Sequence, residues 1–401
     1  MTDSLWIIGT DMLPIRRYPD RDIVDLATGA ARGALRDAGK TMGDIDVLAV
    51  GCVNESQYML AQRIQRQMGQ TGIPAYNVVN ACATGATAVR TVIMAIKAGE
   101  ATMGLAIGCE QMGKMGLLGK AAKPRVEKQV FEPQGRYGHV LGIEGRLGTN
   151  LMPGVFAHAG LEYAKEHGGV GVAQFARIAE KNHAHSTLNP LAQYRKRFTM
   201  EEIMAAEMIS WPNTSLMCSP TGDGAAAVVV TSGERLTSLP DEVRRRAVKI
   251  SASVLTSDPF VDGGQVQADI NTLTRLAADR AYEAAGVGPE DLDLVELHDC
   301  FATAELVHYD NLRLCKPGEA GEFIDSGAPW RDGRTPVNVS GGLISKGHPL
   351  GATGVANLYE IATHLRGEAG ERQIEGARVG LAHVIGLGSA CAIHILERAA
   401  A

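Results

Sequence analysis

The sequence predicts an α/β protein made of two similar halves, with a long insertion in the first half. Short apolar runs alternate with longer amphipathic stretches, which is the pattern of buried strands between helices. A segment near the start of the chain recurs beyond its middle, and residues 113–215 have no counterpart in the second half. A chain of 401 residues also exceeds one ordinary domain, so a duplicated fold fits its length.

The apolar runs give the predicted strands in chain order. They are Val47–Val50, Leu105–Gly108, Ala225–Val230, Lys249–Val254, Leu292–Leu297 and Val379–Leu381. Their residues are apolar without strict alternation, which favours strands that are buried on both faces. We therefore expect helices on both sides of the sheet.

Two internal echoes indicate the duplication. The first is a segment predicted to end a helix, followed by a segment predicted to begin a strand. The pair Ala34–Gly39 and Asp44–Leu48 recurs as Ala281–Gly286 and Asp291–Val295, with the same number of residues between the copies of each segment. The second is an Ala-Thr-Gly that opens a helix running toward a glycine: Ala83–Gly85 toward Gly99, and Ala352–Gly354 toward Gly367. Repeats of this length are whole domains, not solenoid units, and the different displacement of the second echo predicts an insertion in the second half.

The echoes and the unpaired segment predict domain boundaries. Residues 1–112 start the first half, residues 113–215 form an inserted loop domain, residues 216–245 close the first half, and residues 246–401 form the second half. The insertion is rich in Gly, Met, Lys and Arg. Long insertions of this kind frequently bind ligands or cover a site.

Composition excludes several classes of protein. With 45% hydrophobic and 21% charged residues the chain is expected to be globular, and a net charge of −6 disfavours nucleic-acid binding as its main task. Seven dispersed cysteines do not form a secreted disulfide framework, which predicts a reducing compartment. No apolar run approaches the ~20 residues of a membrane span, and no signal peptide opens the chain. We therefore expect a cytoplasmic protein.

Cys82 is the first candidate for chemistry. It stands in Asn80-Ala-Cys-Ala-Thr-Gly85, between an apolar run and an amphipathic stretch, and so at a predicted strand-to-helix junction. A helix N-terminus favours a thiolate and so a nucleophile. Free cysteines are also among the most buried residues, and Cys82 taken alone is more simply explained by packing.

The segment His298-Asp-Cys300-Phe directly follows a predicted strand. Ligands of α/β sheets bind at the carboxyl ends of strands. A thiol with a pKa of ~8.5 both gives and accepts a proton near neutral pH, so Cys300 is a candidate acid and base. A metal site is disfavoured, because no second ligand pair at zinc-site spacing accompanies His298 and Cys300.

A glycine-rich segment, Gly341-Gly-Leu-Ile-Ser-Lys-Gly-His348-Pro-Leu-Gly-Ala-Thr-Gly354, contains the third candidate. It is not a phosphate loop, because Lys346 is not followed by Ser or Thr. His348 occupies almost the same place in the second half as Cys82 in the first. We therefore expect the two side chains to converge where the halves meet.

The C-terminal segment Leu381–Cys391 contains glycines that allow backbone N–H groups to approach a ligand. It could supply a donor to an oxyanion, or it could be an ordinary connection between strands. The sequence leaves both interpretations open.

Together, Asn80–Gly85, His298–Phe301 and Gly341–Gly354, in this order in a duplicated α/β chain, resemble the thiolase superfamily. The sterol-carrier-protein type of thiolase is the most similar. The resemblance extends over almost the whole chain and includes Ser219–Ala225, which is similar to the segment that closes the first half in the family.

The resemblance implies a thiolase fold, in which two βαβαβαββ halves form a five-layered αβαβα sandwich and an inserted loop domain holds coenzyme A (CoA). It also implies a homodimer or homotetramer. The implied activity is that of an acyl-CoA C-acyltransferase, which cleaves 3-oxoacyl-CoA with CoA or runs the reverse Claisen condensation, as in β-oxidation of fatty acids or sterol side chains. CoA is then a substrate, with no permanently bound cofactor and no metal.

The resemblance also implies residue roles. Cys82 would carry the acyl group, Cys300 would exchange protons, and His348 would donate a hydrogen bond to the thioester oxygen with support from His298 through a water. The backbone N–H groups of Cys82 and Gly388 would form a second oxyanion hole. One departure is His383, which stands where many thiolases carry their acid/base cysteine.

Two alternatives remain from the resemblance. One is a thiolase-like retro-aldolase that acts on 3-hydroxyacyl-CoA with a small OB-fold partner, and the other is a non-catalytic acyl-CoA-binding scaffold. The residues that contact CoA are not predicted. Basic candidates for its phosphates, which could equally be solvated surface residues, are Lys114, Lys120, Lys123, Arg125, Arg195, Lys196 and Arg197.

Overall fold

The structure is a computed structural model that describes residues 4–115, 151–259 and 270–399. Its strands are β1 Leu5–Met12, β2 Val47–Gly51, β3 Ala75–Val78, β4 Met103–Gln111, β5 Met208–Ser210, β6 Asn213–Thr214, β7 Asp223–Ser232, β8 Val248–Thr256, β9 Leu294–Glu296, β10 Val379–Gly386 and β11 Ala390–Arg398. The six predicted strands are all present, as β2, β4, β7, β8, β9 and β10.

Helices separate the strands, and short 3-10 turns join several of them. The α-helices are α1 Ile23–Asp37, α2 Leu60–Met68, α3 Thr84–Lys97, α4 Met112–Met115, α5 Leu151–His167, α6 Val172–Ser186, α7 Met200–Ala205, α8 Gly233–Thr237, α9 Asp241–Arg246, α10 Ile270–Ala285, α11 Ala302–Asn311, α12 Ala320–Asp325, α13 Gly342–Lys346 and α14 Leu350–Leu365. In the described part of the chain, no helix is both long and apolar enough to cross a membrane.

The sheet shows the duplication directly. Its strand order is β3-β2-β4-β7-β1-β8-β11-β10-β9, so the first half and the second half are mirrored about the β1–β8 pair. In the first half β4 pairs in parallel with β2 and antiparallel with β7, and in the second half β10 pairs likewise with β9 and β11. An isolated parallel bridge from Val295 to Val337 lies where β3 lies in the first half.

The ends of equivalent helices also match. Gly39 follows α1 with φ 63°, and Gly286 follows α10 with φ 72°. Gly99 follows α3 with φ 77°, and Gly367 follows α14 with φ 74°. This left-handed conformation ends a helix and costs glycine little, which explains why these glycines recur in both echoes. The predicted duplication is confirmed.

The helices and strands form five layers. Helix α1 packs on β1, β4 and β7, and α10 packs on β8 and β11. Between the two halves, α3 and α14 pack against each other, and each contacts strands of both halves. Alternate residues of β2 confirm the arrangement, because Leu48 joins the core beneath α1 and Ala49 joins the core around α3 and α14.

The described part of the predicted insertion is mainly helical. Its helices α5 and α6 both pack on α11, and α6 also contacts α13, so this region covers the second half. The small hairpin of β5 and β6 follows in the same region. The boundaries at residues 112, 215 and 245 remain predictions.

Candidate active site

The site lies where the two central helices begin. Helices α3 and α14 approach so closely that a Cβ on Gly85 would lie 2.5 Å from the carbonyl oxygen of Gly351, and a Cβ on Gly354 would lie 2.4 Å from the amide nitrogen of Ala86. Only glycine fits this backbone contact. The residues just ahead of the two helices, among them Cys82, are therefore brought together.

Cys82 stands on a constrained loop ahead of α3. Ala81 has a φ of 47°, and the Thr84 hydroxyl accepts a hydrogen bond of 2.7 Å from the backbone N–H of Asn80. Burial, and next the negative charge of Glu110, raise the pKa of the Cys82 thiol to about 12. Burial therefore outweighs the expected effect of the helix N-terminus, and the resting thiol is protonated.

His348 is held by a threonine on the helix that follows it, α14. Nδ1 of His348 lies 2.7 Å from the Thr353 hydroxyl oxygen, whose own proton is donated to the carbonyl of Pro349 at 3.1 Å. The hydrogen-bond pattern thus assigns the proton of the neutral ring to Nδ1 and leaves a lone pair on Nε2. Burial, and then the charge of Lys346, lower the pKa of His348 to about 3, so the ring is neutral. The neutral ring leaves the lone pair of Nε2 open to a proton.

His298 lies across from His348. Their ring centroids are 5.1 Å apart with the rings nearly perpendicular. One ring nitrogen of each histidine and the sulfur of Cys82 all lie within 4.8 Å of one another. Neither ring nitrogen of His298 has a hydrogen-bond partner among the described residues, although the residue is buried. A buried imidazole without partners favours a bound water or ligand.

Cys300 is buried beside the same group. Burial, then the charges of Cys82, Asp299 and Cys218, raise the pKa of its thiol well above the ordinary value. The carboxylate of Asp299 accepts hydrogen bonds from the backbone N–H groups of Leu343 at 2.7 Å and Ile344 at 3.3 Å. This contact ties the loop that contains His298 and Cys300 to the segment that contains His348.

A cavity of about 540 Å³ opens above these residues. Cys82, His298, Cys300 and His348 all line it, as do apolar side chains of the predicted insertion. The remaining lining residues are Met152, Pro153, Phe156, Tyr194, Ile209, Ser215, Cys218, Ser219, Pro220, Thr221, Phe301, Leu350 and Leu387. The cavity combines reactive groups with a mainly apolar wall, which suits an acyl chain.

The connection between β10 and β11 borders the nucleophile loop. A Cβ on Gly386 would lie 2.3 Å from the carbonyl oxygen of Asn80. Gly388 has a φ of 107°, and its neighbour Leu387 lines the cavity. The position is compatible with an oxyanion donor, and the role of Gly388 remains a prediction.

His383 lies behind the cavity wall. Its Nδ1 accepts a hydrogen bond of 3.3 Å from the backbone N–H of His298, and its ring centroid is 4.7 Å from that of His308. It is fully buried, and burial holds its pKa well below the ordinary value. His383 therefore contacts the loop that presents His298 and does not line the cavity.

Sequence reasoning missed three residues of this region. Thr353 fixes the His348 ring, and the repeated Ala-Thr-Gly was its signal. Glu110 accepts hydrogen bonds from the N–H groups of Val53 at 2.8 Å and Gly351 at 3.1 Å, and it lies two residues beyond the predicted strand Leu105–Gly108. Cys218 lines the cavity just ahead of the Ser-Pro-Thr-Gly-Asp segment.

The basic candidates are only partly described. Arg195, Lys196 and Arg197 are exposed and follow Tyr194, which lines the cavity. Lys120, Lys123 and Arg125 lie outside the described residues, as does the side chain of Lys114.

These groups make the site a cysteine-dependent acyltransferase centre, with a nucleophilic thiol, a neutral imidazole and a second thiol facing an apolar cavity. Two family models match the chain: the thiolase N-terminal domain at residues 5–132 and the thiolase C-terminal domain-like family at residues 265–398. The chain belongs to the thiolase family, and it is an acyltransferase of the thiolase type.

Individual relatives agree. The chain is 38% identical over 379 residues to sterol carrier protein 2 of Rattus norvegicus, which covers 93% of this chain and 67% of that protein. It is 33% identical over 401 residues to an acetyl-CoA acetyltransferase of Methanothermobacter thermautotrophicus, with 98% and 99% covered. Both alignments span the two halves.

Solved structures confirm the fold. Human mitochondrial 3-ketoacyl-CoA thiolase in complex with CoA matches with a TM-score of 0.73 and 18% identity, covering 99% of this chain and 98% of that chain. An Ltp2–ChsH2(DUF35) aldolase matches with a TM-score of 0.79 and 22% identity, also covering 99% and 98%. At these identities the likeness supports the thiolase fold alone.

Proposed function

We propose that this enzyme cleaves 3-oxoacyl-CoA with CoA, or runs the reverse Claisen condensation, through an acyl group on Cys82. One observation carries the proposal. The Cys82 sulfur and a ring nitrogen of each of His298 and His348 lie within 4.8 Å of one another at an apolar cavity that Cys300 also lines. A nucleophile, a base and a second proton donor are thus in reach of one substrate.

The first half-reaction starts with the Cys82 thiol and the His348 imidazole both neutral. Nε2 of His348 takes the proton of the Cys82 thiol as the sulfur attacks the 3-oxo carbon of the substrate. The bond between C2 and C3 then breaks, and its electron pair forms the enolate of the departing acyl-CoA. Cys300 protonates C2 of that enolate, which leaves an acyl group on Cys82 and a thiolate on Cys300.

The second half-reaction returns each proton. The Cys300 thiolate takes the proton of the incoming CoA thiol, and the CoA sulfur attacks the acyl group on Cys82. The Cys82 sulfur leaves and recovers its proton from His348. Because burial raises the pKa of both cysteine thiols, Cys82 loses its proton only as its sulfur attacks, and the Cys300 thiolate is balanced by the protonated His348 until CoA arrives.

Hydrogen-bond donors complete the site. The protonated Nε2 of His348 donates to the thioester oxygen once it has taken the Cys82 proton. The ring of His298, which has no hydrogen-bond partner among the described residues, supports that oxygen through a water. The backbone N–H groups of Cys82 and Gly388 serve the oxyanion that forms when CoA attacks.

We place the CoA moiety at the cavity mouth formed by the inserted region. Tyr194 lines the cavity and is followed by the exposed residues Arg195–Arg197, whose side chains suit phosphate groups. Trp211 is 59% exposed in the turn between β5 and β6, close in sequence to the lining residue Ile209. An exposed indole of this kind stacks on a purine ring.

We propose a homodimer that pairs through β3. Among the described strands, this one lies at the edge of the sheet in the first half. Large apolar side chains on and around it are exposed, namely Tyr58 (60%), Met59 (59%), Tyr76 (47%), Val79 (56%) and Met94 (51%). An exposed apolar edge strand is normally covered in solution, and a two-fold axis would pair β3 with itself. A tetramer of two such dimers is the alternative.

The deciding experiment is intact-protein mass spectrometry after adding acetoacetyl-CoA or a longer 3-oxoacyl-CoA without free CoA. We expect an acyl adduct on the wild type that CoA discharges, and none on Cys82→Ala. Cys218→Ala is the matched control, because it removes a neighbouring thiol of the cavity without removing the nucleophile, and it should still acquire the adduct.

Other results would redirect the proposal. The aldolase among the similar structures carries a DUF35 partner. No adduct with any chain length, together with cleavage of a 3-hydroxyacyl-CoA when an OB-fold partner is added, would indicate a retro-aldolase. Binding of CoA with neither activity would indicate a scaffold.

A further inference from the structure

The cysteine and the two histidines of the site form a ligand set for a soft metal ion. Among the described residues, Cys82, His298 and His348 each offer one candidate ligand atom, and these three atoms lie within 4.8 Å of one another. All three are buried, with 3% exposure for Cys82, 1% for His298 and 4% for His348. They come from three separate segments, so no ligand spacing in the sequence could reveal them.

The second observation is the orientation of the histidines. Zinc-binding histidines usually donate the N–H that is not toward the metal to a second partner. His348 does this through Nδ1 and the Thr353 hydroxyl, which leaves the lone pair of Nε2 free. Both ring nitrogens of His298 are buried and have no hydrogen-bond partner among the described residues. Either of them can therefore bind a metal.

We propose that this cluster reversibly binds one soft divalent cation, with Zn²⁺ as the biological case, and that the bound ion blocks the nucleophile. Binding forms a bond between the ion and the Cys82 sulfur, and the thiol proton is released to solvent. Cys300 lines the same cavity but is not among the three residues whose ligand atoms lie within 4.8 Å of one another, so a water takes the fourth position. One thiolate and two neutral imidazoles around a divalent ion leave one positive charge, which a hydroxide formed from the bound water would neutralise.

The ligands must move closer together to hold the ion. Zinc lies about 2.3 Å from thiolate sulfur and about 2.0–2.1 Å from imidazole nitrogen, so tetrahedral ligand atoms are roughly 3.5 Å apart. The measured limit of 4.8 Å leaves a contraction of the order of 1 Å. His298 can supply it by rotation, because no hydrogen bond among the described residues holds its ring.

Cobalt is the probe, because tetrahedral Co²⁺ bound to thiolate gives a charge-transfer band and intense visible bands. We expect the wild type to develop both, with one tightly bound cobalt per chain, and Zn²⁺ to bleach them. Cys82→Ala, His298→Ala and His348→Ala should each lose tight binding. Cys300→Ala should keep tight binding and the charge-transfer band, because Cys300 is not one of the three ligands.

Thr353→Val is the sharpest variant, since it keeps all three protein ligands and removes only the partner of His348 Nδ1. Loss of such a partner weakens metal affinity by about 10-fold to 100-fold. His158→Ala is the control, because His158 and Glu162 form an exposed pair on α5 that can bind ions loosely at the surface. It should leave the spectrum unchanged.

The result that overturns the proposal is a wild type without the charge-transfer band, or a band that survives Cys82→Ala and His298→Ala. Inhibition rests on the proposed function, whereas cobalt binding does not. Prior acylation of Cys82 should prevent cobalt binding. An acyl adduct without cobalt binding would remove the metal site alone, and cobalt binding without an adduct would remove the proposed function alone.

Discussion

The junctions that precede α3 and α14 are the same structural element used for two chemistries. Each opens a central helix with Ala-Thr-Gly, and each helix contacts the other through its glycine. In the first half the threonine, Thr84, accepts a hydrogen bond from a backbone N–H and so fixes the loop of Cys82. In the second half Thr353 fixes a side chain, His348. After duplication, one copy positions a nucleophile and the other positions its proton acceptor.

We expect the largest effect on the acylation rate from a substitution of His348, the side chain positioned by the junction of the second half. His348→Ala removes the proton acceptor of Cys82, and loss of a general base lowers the rate by about 10²–10⁴-fold. We expect the rate of acylation from 3-oxoacyl-CoA, measured in a single turnover, to fall by this factor. His158→Ala, an exposed histidine on α5, should acylate at the wild-type rate. Normal acylation of His348→Ala would show that the two junctions are not chemically coupled.

The helix contact should tolerate no added atom on either side. Gly85→Ala and Gly354→Ala place a Cβ at 2.5 Å and 2.4 Å from backbone atoms of the facing helix. Overpacking of this kind costs about 1–3 kcal/mol, which urea unfolding should report as a lower midpoint. Gly29→Ala in α1 is the control, because its Cβ would meet nothing closer than 3.5 Å. Equal stability of all three variants would contradict the contact.

Substitutions of Thr353 and Thr84 should have different effects, the first on the acylation rate and the second on stability. Thr353→Val frees the His348 ring, and we expect the acylation rate to fall roughly tenfold, about 1.4 kcal/mol, with KM little changed. Thr84→Val leaves the Asn80 N–H without its acceptor, so its main effect should be a loss of about 1 kcal/mol in stability. A larger rate loss in Thr84→Val than in Thr353→Val would reverse the assignment.

The pH dependence of stability should also separate the two junctions. The folded pKa of His348 is depressed from 6.5 to about 3, so the unfolded state binds more protons in that window, and stability falls as pH drops below 6.5. The folded pKa of Cys82 is raised from 9.0 to about 12, so the unfolded state loses its proton first, and stability falls as pH rises above 9.0.

Each group changes the free energy of unfolding by at most about 1.4 kcal/mol per pH unit, His348 on the acid limb of the stability profile and Cys82 on its alkaline limb. Unfolding midpoints in urea with a chelator present, between pH 5 and pH 10, measure them. His348→Gln should flatten the acid limb only, and Cys82→Ala the alkaline limb only. Other buried histidines, such as His308 and His394, share the acid limb, so the change from one variant is a fraction of the whole.

Much of the fold could be predicted from local patterns. The strand Ala225–Val230 lies within β7, because a run of buried apolar residues fits only a strand covered on both faces. The echo of Ala34–Gly39 in Ala281–Gly286 gave the duplication, because both glycines must adopt a left-handed conformation. These signals lie within a few residues of each other, so a single sequence reveals them.

The site could be predicted only in its parts. Cys82, Cys300 and His348 were found from motifs and from the ends of predicted strands, and the structure places all three at one cavity. Glu110 and the packing of α5 over α11 were not predicted, because a buried carboxylate and a helix contact depend on distant partners. The state of the Cys82 thiol also needed the structure, since burial opposed the expected effect of the helix end.

The sequence by itself determined the α/β class, the two halves and the residue types available for acyl transfer. Each of these follows from short-range periodicity or from residue identity, which are fixed along the chain. Only the tertiary structure decided that Cys82 and His348 meet, which ring nitrogen of His348 carries the proton, and that His298 lies beside both. It also showed that the His298 ring has no hydrogen-bond partner within the described part of the chain. The physical reason is that these properties arise where α3 and α14 cross, and a crossing is set by packing between segments far apart in the chain.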